Sequence, residues 1–293
     1  MDVVVFGAGS LGSLVGGLLA RTHDVTLVGR EPHVGTVARS GLRIEGEIDE
    51  QVRPAAVTEP PASADLAVVT VTAGDTPAAA AALTDCDLDA CLSLQNGMGN
   101  EATLAERLDC PVLAGTCTYG ARLTEPGVVA CTGIGEVVLG SREGGTSELA
   151  ERVGRAFADA DIETTVADDM STHLWEKLAV NAAINAATAL ARIPNGALVD
   201  GPAESVAARA ARETAAVARE HGVDLSDDHA AESAIEVATD TAANRSSMLQ
   251  DVEDGRETEI DAINGYVVDR AGDVDVPVNE TLAALVRAWE AER

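Results

Sequence analysis

Apolar residues fall along this chain in two different rhythms. In the first half they form short blocks: "DVVVF" (2–6), "DVTLV" (24–28), "DLAVVTV" (65–71), "ACLSLQ" (90–95) and "PVLAGTC" (111–117). Blocks of this length, bounded by turn residues, predict buried strands. Helical patterns lie between and after them, over 10–20, 76–83 and 100–108. Strand–helix alternation predicts parallel strands joined by right-handed helical crossovers, hence a doubly wound sheet. Over 127–140, "GVVACTGIGEVVLG" alternates apolar residues around interior glycines, which predicts a hairpin. A helix over 146–159 and a strand near 162–166 complete this half.

After about Ala167 the strand signals stop. Helical patterns cover 170–190, 203–221, 228–252, 258–271 and 279–291, with breaks at "IPNG" (193–196), Gly222 and "VDVP" (274–277). The expected fold class is therefore α/β: a doubly wound sheet over 1–167, then an all-helical domain over 168–293. No internal repeat or low-complexity linker intervenes, so the two domains are expected to pack closely around a cleft.

Composition narrows what this fold can do. Hydrophobic residues make up 46% but aromatics only 2%, so the core must be built from Ala, Val, Leu and Ile. Asp and Glu number 49 against 20 Lys and Arg, a formal charge of −29. That excess argues against nucleic acid or an anionic membrane as a partner, since both need positive charge to replace counterions. Spread acidity with a single lysine predicts a protein adapted to a salt-filled cytoplasm, where screening relieves self-repulsion. An ordinary acidic cytosolic protein is the plainer alternative. Cysteines 86, 91, 110, 117 and 131 show no CxxC and read as small core residues in a reducing compartment. No apolar run reaches about 18 residues without a charge, and no secretory leader pattern opens the chain, so a cytoplasmic location is expected.

The first candidate site is "VVVFGAGSLGSLVGG", which places Gly7, Gly9 and Gly12 in G-x-G-x-x-G spacing. In a dinucleotide-binding turn the first glycine permits the bend, the second admits the pyrophosphate and the third lets the helix approach the strand. The backbone of Gly7, Ala8, Gly9, Ser10, Leu11 and Gly12 would form the cradle, with the anion on the helix N-terminus. Alone the motif is weak; following a first strand and preceding a second, it predicts a Rossmann-type dinucleotide site. The second strand ends in "VGREP", placing Arg30 where a 2′-phosphate would sit, so NADP is favoured. Glu31 beside it weakens that preference and leaves NAD open. A solvated surface arginine is the alternative reading. "LQNGMGN" (94–100) follows a strand, and its Asn96 is expected to face the nicotinamide end.

The second candidate is "HLWEKLAVNAAIN" (173–185), which carries the chain's only lysine. At 3.6 residues per turn Lys177, Asn181 and Asn185 advance about 40° per step of four and share one stripe. Their neighbours are small or apolar, so the stripe must meet partners or a ligand. A partly desolvated ammonium can hydrogen-bond a carbonyl oxygen and give it a proton as hydride arrives. The alternatives are an accidental lysine and asparagines that satisfy a neighbouring helix. In "NRSSMLQDVEDGRETEIDAINGYVVDRAG" (244–272), a serine could bind a carboxylate and an acid could pair with Lys177, but spacing does not select which.

These segments together resemble the ketopantoate reductase family over nearly the whole chain. The resemblance rests on "GAGSLG", "QNGMG", "WEKLAVNAAIN", "NRSSMLQDV" and "TEIDAINGYV". It implies a Rossmann domain and a helical domain with the active site in the cleft, and NADPH-dependent reduction of 2-dehydropantoate to (R)-pantoate, on the route to pantothenate and coenzyme A. It makes Lys177 the general acid and Glu259 the acidic residue of the site, assisting catalysis and binding. Asn181, Asn185 and Ser247 match substrate-binding positions, and Asn244 a position lining the cleft. Asn96 matches a loop residue near cofactor and substrate; with Glu259 it is counted on the cofactor side as well. In "VVTVTAGDT", Thr72 stands where the family commonly has a lysine for the NADP phosphates, which again leaves NAD open. The implied partner is a small 2-keto acid, and a homodimer stays open. A 3-hydroxyacid dehydrogenase of the 6-phosphogluconate or 3-hydroxyisobutyrate type ranks lower, because the glycine-rich approach to its lysine is absent. A non-catalytic dinucleotide-binding regulator would need no proton donor.

Overall fold

A computed structural model describes residues 1–293, and the chain divides into two compact units. The first comprises Met1–Gln95 and Gly99–Met170, the second Asn96–Met98 and Ser171–Arg293.

In the first unit the elements run β1 (Asp2–Phe6), α1 (Ser10–Leu19), β2 (Asp24–Val28), α2 (His33–Ser40), β3 (Leu42–Gly46), β4 (Glu50–Val52), β5 (Ala55–Val57) and β6 (Ser63–Val69). They continue with α3 (Thr76–Leu83), β7 (Asp87–Ser93), α4 (Asn100–Ala105), β8 (Val112–Cys117), β9 (Gly120–Glu125), β10 (Val128–Gly133), β11 (Val137–Ser141), α5 (Glu148–Asp159) and β12 (Thr164–Ala167). The main sheet has the order β12-β11-β8-β7-β6-β1-β2-β5. Strand order reverses at β1, which lies parallel between β2 and β6; such a switch point is where open α/β sheets bind ligands. Alternation along β1 explains the two covered faces. Val3 and Val5 pack with Leu14 and Leu18 of α1 and Phe157 of α5, whereas Val4 packs with Ala79, Ala80 and Leu83 of α3. Each such fully buried Val or Leu contributes about 1.5–3 kcal/mol.

The expected hairpin over 127–140 does not form. Its first arm, β10, joins a separate four-stranded sheet (β4-β3-β10-β9), paired antiparallel to β9 and parallel to β3. Its second arm, β11, enters the main sheet antiparallel to β8, so that sheet is not wholly parallel. Period-2 alternation shows that a segment is a strand but carries no information on its partner. The short strands β3, β4 and β5 were also absent from the sequence expectation, being only three to five residues long, with charged positions in β3 and β4.

The second unit is helical: α6 (Met170–Ala191, its first residue counted with the other unit), α7 (Glu204–Glu220), α8 (Asp227–Asp240), α9 (Ser247–Glu253), α10 (Asn264–Arg270) and α11 (Pro277–Ala291). Its core is built on alanine. Ala179, Ala182, Ala183 and Ala186 of α6 belong to one cluster with Ala207, Ala210, Ala211 and Ala215 of α7 and Ala230 and Ala234 of α8. Trp175, stacked on His221 and edge-on to Tyr266, is the one aromatic residue fully within this core. The helix expected over 228–252 is two helices. Residues 241–246 break it, and Ser246 caps α9 by accepting from the Leu249 amide at 3.1 Å. A serine N-cap is worth about 1 kcal/mol and marks a start that apolar periodicity alone runs through. No helix is long and apolar enough to cross a membrane. All five cysteines are free, four of them buried.

Candidate active site

The first unit holds the glycine turn. Gly7 follows β1 with φ +111, and a Cβ there would meet Val71 N at 2.8 Å. Gly12 lies deeper still: a Cβ would sit 2.2 Å from the Gly7 carbonyl oxygen. Gly9 is exposed, and a Cβ there would have nothing nearer than 3.9 Å. The three positions thus divide as a pyrophosphate cradle requires: a bend, an open approach and a tight helix contact. Gly9 is the N-cap of α1, no side chain caps that end, and the first turn carries no acid. The amides of Ser10, Leu11 and Gly12 have no carbonyl partners within the helix and are directed as an anion needs. Ala8 is buried beneath the turn. The residues present therefore fit a dinucleotide.

Thr70, which sequence reasoning passed over, locks this turn. Its hydroxyl donates to Gly7 O at 2.9 Å, joining the carboxyl ends of β6 and β1. Finding it needed the parallel register of these strands, which the sequence does not print. Thr72 is exposed and opens the short 3-10 turn Ala73–Asp75. Arg30 is exposed at the end of β2, and its Nη2 lies 3.2 Å from Asp75 Oδ2. Below this segment Gln95 Nε2 donates to Val71 O at 3.1 Å and to Thr76 Oγ1 at 2.6 Å, and Thr76 in turn donates to Asn100. These buried polar groups satisfy one another and fix the start of α3.

The second unit holds the lysine helix. Lys177 and Asn181 are half-buried on α6, and Asn185 is buried. The stripe continues beyond the expected residues. Thr188 lies eleven positions after Lys177, within about 20° of it around the axis. Thr188 is fully buried and donates to the Ile184 carbonyl at 2.7 Å. Its Oγ1 is also 2.7 Å from Ser246 Oγ, so Ser246 donates to Thr188 while capping α9. The residue after this anchor is the exposed Ser247, and two before it stands the exposed Asn244. Asn244 is fixed by its carbonyl, which accepts from the Asn195 amide at 2.9 Å. The structure thus ties the segment bearing Asn244 and Ser247 to the end of the lysine helix. Periodicity could have flagged Thr188; its partner Ser246 could not be read from spacing.

Asn96 and Glu259 are brought together. Asn96 Nδ2 donates to Glu259 Oε2 at 3.1 Å, and the Met98 amide donates to Ala262 O at 3.1 Å. Gly97 adopts φ +77 with a Cβ position only 2.5 Å from Ala262 Cβ, so glycine is required for this approach. Both Asn96 and Glu259 are half-buried.

A chain that joins a doubly wound unit bearing an open glycine cradle to a helical unit bearing a lysine on a half-buried polar stripe falls in the class of dinucleotide-dependent oxidoreductases. Comparison with known proteins narrows the class. The family model described as "Ketopantoate reductase PanE/ApbA" matches residues 3–144, and "Ketopantoate reductase PanE/ApbA C terminal" matches residues 169–290. The chain is 47% identical over 298 residues to the 2-dehydropantoate 2-reductase of Halobacterium salinarum, covering 98% of each. It is 38% identical over 297 residues to that of Pyrococcus horikoshii, covering 99% of this chain and 98% of the other. A crystal structure of a PanE/ApbA family ketopantoate reductase from Ralstonia eutropha is similar with TM-score 0.91 and 37% identity, over 100% of this chain and 99% of that one. D-mandelate dehydrogenase, solved with NADH and anilino(oxo)acetate, gives TM-score 0.93 at 23% identity, a likeness of fold alone. The chain belongs to the ketopantoate reductase family.

Proposed function

We propose that this chain is a 2-dehydropantoate 2-reductase acting in pantothenate and coenzyme A synthesis, and that it uses NADPH in preference to NADH. The observation that carries the reading is the lysine on the half-buried polar stripe of α6, in a chain that has otherwise replaced lysine with arginine. When bound, the nicotinamide supplies hydride to C2 of the keto acid. Lys177 donates a proton to the carbonyl oxygen as the C–O π bond breaks, and recovers one from solvent. Arginine in its place would stay protonated. Asn181, Asn185 and Ser247 hold substrate oxygens without adding charge, and Asn244 lines the same segment. Glu259, oriented by Asn96, accepts from the substrate hydroxyl and helps set the charge of Lys177. Arg30 faces the 2′-phosphate, and the backbone of Gly7–Gly12 holds the pyrophosphate. The five free cysteines support a reducing, cytoplasmic setting.

The test is loss of NADPH absorbance on adding ketopantoate to the purified protein in molar KCl. Ketopantoate-dependent oxidation is expected, with (R)-pantoate as product. A protein that binds NADPH but leaves it unoxidised with ketopantoate would refute the assignment.

A further inference from the structure

We propose that Asp75 is a specificity-determining residue for the cofactor: it competes with the 2′-phosphate for Arg30 and so opens the site to NADH. This inference rests on the reading of Gly7–Gly12 and Arg30 as the dinucleotide site.

Asp75 stands at the N-cap position of α3, where an aspartate ordinarily accepts a hydrogen bond from the helix amides. It makes no such bond. Its carboxylate instead faces Arg30, Oδ2 to Nη2 at 3.2 Å. Arg30 is 89% exposed along its side chain and Asp75 49%, so the pair is open to whatever binds at the end of β2.

The local charge makes this pairing consequential. The three segments around the switch point, 7–12, 29–32 and 70–76, contain one basic residue, Arg30, and two acidic ones, Glu31 and Asp75, a net of 1 − 2 = −1. Thr72 adds no cation. A 2′-phosphate is best held by a guanidinium free to offer two parallel N–H groups. Here one guanidinium nitrogen already serves Asp75, and the carboxylate repels the incoming dianion. An unphosphorylated ribose meets no such opposition, since its 2′-hydroxyl is a donor that a carboxylate accepts. Arg30 therefore favours NADPH and Asp75 offsets it.

The experiment measures binding, independently of turnover. Dissociation constants for NADPH and NADH are obtained by nucleotide fluorescence for the parent, Asp75→Asn, Arg30→Ala and the double variant, with melting temperatures as a fold control. Asp75→Asn is expected to shift the NADH-to-NADPH ratio of dissociation constants about threefold to tenfold toward NADPH, the effect of one exposed charge pair plus relief of repulsion. In the Arg30→Ala background the same change should give a distinctly smaller shift, because only the relief of repulsion remains. Asp75→Gln, longer but equally uncharged, should reproduce the direction. An unchanged ratio in Asp75→Asn, or an equal shift without Arg30, would overturn the inference while leaving the dinucleotide site standing. Failure of the parent protein to bind either nucleotide would sink the site and the inference together.

Discussion

Asn96 and Glu259 stand 163 positions apart in sequence and share one hydrogen bond, Asn96 Nδ2 to Glu259 Oε2 at 3.1 Å. The bond orients the carboxylate through one oxygen, and a carboxylate can accept at both. Glu259→Ala is expected to lower kcat about 100-fold, in the range of lost acid–base assistance. Glu259→Gln separates orientation from charge: its amide oxygen still accepts from Asn96. Steady-state kinetics of the two variants checks this. Equal activity of Glu259→Gln and the parent would show that the charge is not used.

Lys177 sits where α6 is half-buried, with Asn181 and Asn185 along the same face. Lys177→Ala is expected to reduce turnover by about 10²- to 10⁴-fold, and Lys177→Arg by nearly as much, since a guanidinium does not release its proton. Nucleotide binding should be retained in both, because the glycine turn lies in the other unit. Turnover by Lys177→Arg within a few-fold of the parent would remove proton donation from this residue.

The doubly wound sheet and the lysine stripe were legible because each rests on local periodicity. Val3, Val4 and Val5 declare a strand, and a four-residue spacing places Lys177, Asn181 and Asn185 on one face. What was not legible depends on partners. Nothing in "GVVACTGIGEVVLG" tells that its two arms enter different sheets. The Arg30–Asp75 pair and the Thr70–Gly7 lock join segments about 45 and 63 positions apart, and only the register of parallel strands brings them together. Glu259 was selectable only by resemblance, one acid among 49.

Thr188 and Ser246 tie α6 to the start of α9 through fully enclosed hydroxyls. Thr188→Val keeps the shape and deletes the acceptor, leaving the Ser246 hydroxyl proton without its partner. A loss of about 1–3 kcal/mol in unfolding free energy is expected. Because Ser247 follows directly, KM for ketopantoate should rise with kcat less affected. Thr188→Ser should restore both. Urea unfolding and steady-state kinetics check the pair; a stability loss with unchanged KM would confine Thr188 to the fold.

His33 is buried on α2 and bridges two segments of the first unit. The Gly127 amide donates to Nδ1 at 3.0 Å, so Nδ1 is unprotonated and Nε2 donates to Ser13 Oγ at 2.9 Å. Burial lowers the imidazole pKa below its ordinary value of about 6.5. A depressed folded-state value means the unfolded chain binds the proton first as pH falls. The stability it contributes is therefore complete above about pH 6.5 and is lost as pH falls toward the folded-state value. His33→Gln should show a shallower fall in Tm between about pH 6.5 and pH 5 than the parent. Parallel slopes would exclude His33 as the group responsible.

The charge of −29 sets a last expectation, on salt. The ion pairs that offset it are largely exposed, as in Arg219–Asp227 and Arg152–Asp89. Such pairs contribute little individually, about 0–1 kcal/mol each. Net repulsion among the remaining acids therefore dominates the long-range electrostatics at low ionic strength, where the Debye length is about 10 Å at 0.1 M. At 1 M it contracts to about 3 Å, which screens the surface carboxylates from one another while the buried cores are untouched. Tm should therefore rise as KCl is raised from about 0.1 M to above 1 M, and it should do so with an inert salt and no cofactor present. Scanning calorimetry across that series decides it: a Tm independent of salt would mean that the surface charge is already neutralised within the fold.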